Sequence, residues 1–120
     1  MQADSIAAGV EELRSMFGDR VRMAMEGQRT LVIVSGVELP SGCRPQSTDV
    51  LLALDPGQPK PVHYVRPGQT LRNGQHPKNP TPTMVGGEAW MNFSWDFPYK
   101  EGDPLSRFVA MIQQRFAKNE

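Results

Sequence analysis

The sequence predicts a single α+β domain, with a helix near each end, a four-stranded antiparallel meander between them and a long loop before the second helix. Three observations support this fold class. Apolar residues recur at helical spacing near both ends of the chain, four short apolar runs lie between residues 21 and 65, and glycine and proline are concentrated in the second half. At 120 residues the chain can bury one hydrophobic core but not two, so we expect one domain over residues 1–120.

The first predicted helix begins at Asp4 or Ser5, either of which can cap it, and continues to about Phe17. Its apolar face consists of Ile6, Val10, Leu13 and Phe17. Because Glu11 and Glu12 lie on the opposite side of this helix, we expect both carboxylates to be solvated.

The four predicted strands are Val21–Met25, Leu31–Val34 with a continuation toward Leu39, Asp49–Leu54 and Pro61–Val65. They are rich in apolar residues, and short turn sequences such as Asp55-Pro56-Gly57 separate them. Strands that are joined by short turns pair with their neighbours, which predicts an antiparallel meander. In the fourth strand, His63 points away from the face of Val62 and Tyr64, and we expect it at the surface or at an edge of the sheet.

The second half of the chain combines irregular segments with one helix. Residues 66–87 show no periodicity and are predicted to form a long loop, of a length that is often functional. Residues 88–99, EAWMNFSWDFPY, have the aromatic density of a core segment. Stacking on nucleic-acid bases is the alternative, and the lack of flanking basic residues argues against it. The second helix is predicted to start with Asp103 as its N-cap and Pro104 in its first turn.

Composition excludes several classes of function. Thirteen basic residues balance thirteen acidic ones, so no bulk charge attracts nucleic acid or an anionic membrane. No apolar stretch is long enough to span a bilayer and the lone cysteine fits a reducing compartment, so we expect a cytoplasmic protein with no membrane partner. One cysteine and two histidines show no metal-ligand spacing, and no glycine-rich phosphate loop is present, so we expect neither a metal nor a cofactor.

Two side chains have the chemistry for catalysis. His76 lies in the long loop, where it can act as an acid, a base or a hydrogen-bond donor near neutral pH. A structural or merely exposed role is the alternative for this histidine. Cys43 lies between two predicted strands, where the neighbouring Arg44 can lower its pKa slightly, but no aligned base accompanies it.

The order of elements and several short motifs together resemble the ubiquitin-conjugating-enzyme (UBC) fold. The strand DVLLAL at residues 49–54, followed by PKPVHY at residues 59–64, is similar to the third strand, turn and fourth strand of that family. His76-Pro77-Lys78 resembles the family's His-Pro-Asn tripeptide, with lysine in place of asparagine. Residues 101–105, EGDPL, resemble the segment that opens the helix after the active site, and LPSGCRPQSTDVLLAL is similar to bacterial members. The resemblance covers the chain from about residue 30 onward.

The resemblance implies that the protein receives a ubiquitin-like protein as a thioester on a cysteine, while the asparagine of the tripeptide stabilises the developing oxyanion. The corresponding segment of this chain has no cysteine. The family's interval before Pro104 selects Ser94, which could carry an oxyester if His76 served as its base. Asn92 or Asn79 could then replace the missing amide, although the interval from His76 to Ser94 is longer than the family's.

Two functions follow from the resemblance. In the first, the protein carries a ubiquitin-like protein from an activating enzyme, contacted through the first helix, toward a target in a bacterial modification pathway. In the second, it is a non-catalytic adaptor that binds a ubiquitin-like protein or an enzyme partner. Without the resemblance, the alternative is a small α+β interaction domain that uses the aromatic segment as a protein-binding surface.

Overall fold

The computed structural model describes residues 1–118, in which two helices flank six strands. In chain order the elements are α1 (Ala3–Phe17), β1 (Val21–Glu26), β2 (Arg29–Glu38), β3 (Ser47–Leu54), β4 (Val62–Val65), β5 (Thr81–Val85), β6 (Glu88–Asn92) and α2 (Leu105–Arg115). The strands form one antiparallel sheet in the order β1-β2-β3-β4-β6-β5. The α+β class, the two helices and the antiparallel neighbours β1 to β4 are therefore confirmed, but the sheet has six strands rather than four.

The two additional strands form a hairpin in segments that the sequence did not assign to the sheet. β5 lies inside the predicted loop of residues 66–87, and β6 lies inside the aromatic segment. Gly86 and Gly87 make the two-residue turn between them, with φ angles of 58° and 80°, which glycine adopts without strain. β6 joins the sheet beside β4 through the pair Val65 and Met91.

Helix α1 begins after Gln2, ahead of both predicted cap residues, Asp4 and Ser5. It ends as predicted at Phe17, because Gly18 has a φ of 60° and breaks the helical conformation. A 3-10 turn at residues 18–20 then leads into β1.

The start of α2 also differs from the prediction. Its N-cap is Pro104, not Asp103, and the Asp103 carboxylate instead accepts hydrogen bonds from the Lys100 N–H at 2.9 Å and from Arg107 at 2.8 Å. The backbone N–H of Ser106 in the first turn of α2 donates to Glu12 of α1 at 2.9 Å. The expectation that Glu12 is merely solvated is therefore wrong, because this carboxylate is half-buried between the two helices.

Both faces of the sheet are covered around β3, which explains why residues 50–54 of this strand are all apolar and buried. Both helices pack on one face, where Leu13, Val32, Leu52, Phe108 and Ile112 belong to one core cluster. The β5–β6 hairpin covers the other face, in a second cluster of Leu31, Ile33, Leu51, Ala53, Tyr64, Val85 and Trp90. Since neighbouring strand residues point to opposite faces, Leu51 and Leu52 enter different clusters and both are buried.

Candidate functional site

Ser94 lies in the extended segment that follows β6, and its side chain is exposed. Burial alternates along this segment: Phe93, Phe97 and Tyr99 are buried, whereas Ser94 and Asp96 face solvent. Because successive side chains of an extended chain point in opposite directions, the buried aromatic rings hold Ser94 outward. The aromatic segment is thus part of the core, as its composition predicted, and it leaves the serine hydroxyl accessible.

Asn92, the last residue of β6, has its side-chain amide bound to the neighbouring strand. The Asn92 Nδ2 donates a hydrogen bond of 2.7 Å to the backbone carbonyl of His63 in β4. This bond ties β6 to β4 close to the ladder pair of Val65 and Met91. The amide predicted to stabilise an oxyanion therefore holds two strands together. Asn79, the alternative amide, is an exposed loop residue with a φ of 56°.

His76 lies in the part of the predicted loop that remains irregular, residues 66–80. Its Nδ1 is 3.0 Å from the backbone carbonyl oxygen of Gln69. A carbonyl oxygen can only accept, so Nδ1 carries the proton and Nε2 of the neutral ring is the basic nitrogen. His76 is exposed, and the neighbouring Pro77 is buried and anchors the tripeptide.

The three predicted catalytic residues are not joined into one constellation. In the described part of the chain, no hydrogen bond links Ser94 to His76 or to Asn92, and the side chains of His76 and Asn92 bind different backbone carbonyls. A serine hydroxyl without an adjacent base is a weak nucleophile at neutral pH. This arrangement therefore presents an exposed serine, without the activation that acyl transfer requires.

Cys43 is buried and cannot replace the missing catalytic thiol. Its side chain is 2% exposed, and its Sγ lies 3.6 Å from the carbonyl oxygen of Phe116 at the end of α2. Burial raises the pKa of the Cys43 thiol, and the charge of Arg72 offsets that rise in part. The expected lowering of this pKa by Arg44 is wrong, because the thiol points into the core while Arg44 is exposed. The neutral thiol is the unreactive form of cysteine.

His63 is buried, which contradicts the predicted surface position. Its ring is stacked on Trp95 at a centroid distance of 6.1 Å, and it contacts the rings of Phe97 at 5.3 Å and Phe108 at 6.0 Å. Its Nε2 has no hydrogen-bond partner among residues 1–118. Burial in these apolar surroundings lowers the pKa of His63 to about 4, so the ring is neutral at physiological pH.

A signal for this burial was present in the sequence. His63 does point away from Tyr64, as the alternation predicts. The face of the sheet on which His63 lies, however, is covered by α2 and the aromatic segment. Its cross-strand partner is Leu52, in a strand whose consecutive apolar residues indicate burial on both faces.

Sequence reasoning also missed a charged cluster at the end of β4. The Arg66 guanidinium lies 4.0 Å from the centre of the Trp90 ring and forms ion pairs with Asp49 at 3.1 Å and Glu88 at 3.3 Å. These contacts bind the hairpin to the sheet, because Trp90 and Glu88 belong to β6 and Asp49 to β3. The Arg66 guanidinium is paired with a carboxylate from β3 and a carboxylate from β6, which is typical of a structural role.

Within residues 1–118 no three His, Cys, Asp or Glu side chains lie close enough together to hold a metal ion. Neither helix in that part of the chain combines the length and apolar composition that crossing a membrane needs. No protein-family model matches the chain, and no curated protein or solved structure is significantly similar to it.

Proposed function

We propose that this chain is a UBC-like adaptor, which binds a ubiquitin-like protein or an enzyme of its conjugation pathway without carrying the modifier covalently. The observation that carries the proposal is that Ser94, at the position where the resemblance calls for a nucleophile, is exposed with no base bound to it within the described residues. The other candidate nucleophile, the thiol of Cys43, is buried in the core.

The UBC-like assignment rests on the element order and on the motifs that follow it. The first four strands are neighbours in chain order, and both helices pack on the same face of the sheet. The motifs at residues 49–54, 59–64, 76–78 and 101–105 occur in the order that the family keeps them. By the resemblance, the family's catalytic cysteine would fall in the stretch that the β5–β6 hairpin and the aromatic segment form here. Because the aromatic residues of this stretch are buried in the core, the stretch has less freedom to position catalytic groups.

A second candidate function, transfer through a serine oxyester, is favoured by one observation. The hydrogen bond to Gln69 fixes the His76 tautomer so that Nε2 is the basic nitrogen, which is the form a general base needs. Transfer then requires residues 66–80 to move until His76 reaches the Ser94 hydroxyl. We favour the adaptor because His76 is bound to Gln69 in the structure and no hydrogen bond joins it to Ser94 within the described residues.

The two functions are separated by one experiment on wild type and two variants. The chain is incubated with ATP, an activating enzyme and the ubiquitin-like protein of its source organism, and products are resolved with and without thiol reductant. Wild type, Ser94→Ala and Ser41→Ala are compared, since Ser41 is an exposed serine in a turn outside the aromatic segment. Non-covalent binding of the same ubiquitin-like protein and enzyme is measured by calorimetry.

The adaptor proposal predicts saturable binding by all three proteins and no covalent adduct. A reductant-resistant adduct that forms on wild type and Ser41→Ala but not on Ser94→Ala would overturn it in favour of serine transfer. Absence of both binding and adduct would contradict both functions.

A further inference from the structure

β1 is an edge strand whose outer side is open. It begins the sheet order and pairs with β2, and residues 22–25 are all exposed. The opposite edge is β5, which contains Pro82 and so lacks one backbone donor. β1 has no proline, no lysine and no break in its register with β2. Edge strands without such features can pair with a strand of another chain.

The backbone geometry of the β1–β2 hairpin determines which groups face the open edge. Glu26 and Arg29 close a two-residue turn, so they form a hydrogen-bonded pair. Hydrogen-bonded positions alternate along an antiparallel strand, so Ala24 and Arg22 also direct their N–H and C=O groups to β2. Met23 and Met25 therefore direct theirs outward, to the free edge.

The side chains of the same two methionines are exposed beside an apolar groove. Met23 is 51% exposed and Met25 is 61% exposed. Together with Ile6, Ala7 and Val10 of α1 they line a groove with a volume of about 440 Å³. Two exposed methionines next to an open strand edge offer both backbone hydrogen bonds and apolar area to one incoming strand.

The residues of β1 are complementary to an antiparallel copy of themselves. When two copies of Arg22-Met23-Ala24-Met25-Glu26 are aligned about a two-fold axis at Ala24, each Arg22 lies opposite Glu26 of the second copy. The same register places Met23 opposite Met25 of the second copy, and both direct their backbone groups outward, so each such pair can exchange two hydrogen bonds. Shifting the register by two residues would place Arg22 opposite Ala24 and lose the charge pair.

We propose that β1 is a self-association interface, through which two copies of this chain form a two-fold symmetric dimer with one continuous antiparallel sheet. In this dimer the methionines of both copies cluster on the α1 side of the sheet. The two Arg22–Glu26 pairs lie on the other side, since alternate residues of a strand occupy opposite faces. The interface is independent of the adaptor function proposed above, because it uses neither Ser94 nor the motifs at residues 76–78 and 101–105.

Glu26 is held in a conformation that suits this pairing. Its carboxylate is bound by Arg29 of the same hairpin and accepts a hydrogen bond of 3.1 Å from the Gly86 N–H. A carboxylate can accept about four hydrogen bonds, so capacity remains for Arg22 of the second copy. Its side chain is 41% exposed, and Arg22 is exposed.

Charge-swapped variants test the interface. Sedimentation equilibrium of wild type from about 1 µM to about 1 mM is expected to show a monomer–dimer equilibrium. Arg22→Glu places a carboxylate opposite Glu26 in each of the two charge pairs of the dimer. The resulting repulsion is expected to weaken the dimer roughly tenfold or more. Glu26→Lys does the same, whereas a mixture of the two variants restores dimerisation, because each unlike pair is then complementary. Arg72→Glu, the same charge change at an exposed loop residue, is the control and is expected to dimerise like wild type.

A cysteine at the two-fold axis tests the register directly. Opposed residues of a non-hydrogen-bonded pair have Cα atoms about 4.5 Å apart, within the range that a disulfide spans. Mild oxidation is therefore expected to cross-link Ala24→Cys into a covalent dimer, while Gln28→Cys, in the adjacent turn, cross-links far more slowly. Circular dichroism of every variant establishes that it is folded.

Wild type that stays monomeric to about 1 mM would overturn the proposal. So would a dimer that is insensitive to Arg22→Glu and not cross-linked through residue 24, since its interface would lie elsewhere. Binding of a strand from a different protein at this edge, with no dimer at any concentration, would likewise contradict the second copy as occupant.

Discussion

Glu12 of α1 accepts hydrogen bonds from both donors of Ser106 in α2: the backbone N–H at 2.9 Å and the hydroxyl at 2.5 Å. The first N–H groups of a helix have no partner within the helix, and Pro104, the N-cap of α2, provides no side-chain cap. Glu12 therefore acts as an N-terminal cap that is supplied by another helix. Its negative charge also lies at the positive end of the α2 dipole.

Replacing Glu12 tests this capping role. Glu12→Ala is expected to lower the free energy of unfolding by about 1–2 kcal/mol, because it leaves a half-buried N–H without a partner. Glu11→Ala is the matched control, since Glu11 is exposed and pairs with Arg14 at 3.5 Å, and it should cost less than about 0.5 kcal/mol. Urea unfolding of the three proteins measures both values. Equal effects of the two substitutions would contradict the capping role.

Burial of His63 predicts a pH dependence of stability. The pKa of His63 is about 4 in the folded protein, against 6.5 for an unperturbed histidine, so between these values the unfolded chain binds a proton that the folded chain excludes. Stability is therefore full above about pH 6.5 and falls as the pH drops toward 4. Between pH 7.5 and pH 5.5 this residue should account for a loss of about 1 kcal/mol.

Chemical denaturation at the two pH values measures that loss. His63→Phe keeps a ring in the aromatic cluster and is expected to remove this component of the pH dependence. His76→Gln is the control, because His76 is exposed, and the pH dependence should persist in it. If His63→Phe loses as much stability as wild type over the same range, the histidine is not the titrating group.

Contact between the helices predicts an unusual response at Gly9. A Cβ added to Gly9 would lie 2.7 Å from Cδ1 of Leu105, a fully buried side chain of α2. Alanine normally stabilises a helix interior by about 1 kcal/mol relative to glycine, but overpacking costs about 1–3 kcal/mol. We therefore expect Gly9→Ala to destabilise the protein despite its better helix propensity.

A double-mutant cycle separates these two effects. In the Leu105→Ala background the clash is absent, so Gly9→Ala should become stabilising by up to about 1 kcal/mol. Thermal unfolding of the four proteins gives the coupling energy between the two positions. A stabilising effect of Gly9→Ala in wild type would contradict the prediction, since it would show that the Leu105 side chain or the helix can shift at little cost.

The sequence predicted those parts of the fold that depend on local signals. Strands β1 to β4 were recognised because apolar runs are bounded by turn residues such as Asp55-Pro56-Gly57. The β5–β6 hairpin lies in a segment where Pro82 and the glycines are typical of a loop, so composition alone predicts no strand there. The Gly86-Gly87 pair between two short runs is in fact a hairpin signal, so this part of the fold was open to prediction.

The candidate site depended on contacts between distant residues, which local patterns do not contain. The alternation of aromatic and polar residues around Ser94 is enough to predict that its side chain faces outward. By contrast, Glu12 contacts a residue 94 positions away, and Asn92 binds a carbonyl 29 positions away. The family resemblance offered His76 as a base and Asn92 as an amide donor for Ser94, and in the structure each is anchored to a different backbone carbonyl.

Asn92 and Ser94, two residues apart, should therefore differ in how much stability is lost when each is replaced by alanine. Asn92→Ala removes the 2.7 Å bond to the His63 carbonyl and leaves a half-buried acceptor, which is expected to cost about 1–2 kcal/mol of unfolding free energy. Ser94→Ala changes an exposed side chain and should stay within about 0.5 kcal/mol of wild type. Denaturant unfolding measures both, and amide hydrogen exchange in β6 should increase in Asn92→Ala, because this bond ties β6 to β4. If Ser94→Ala proves the more destabilising of the two, the serine hydroxyl has a structural partner and the exposed position assigned to it is wrong.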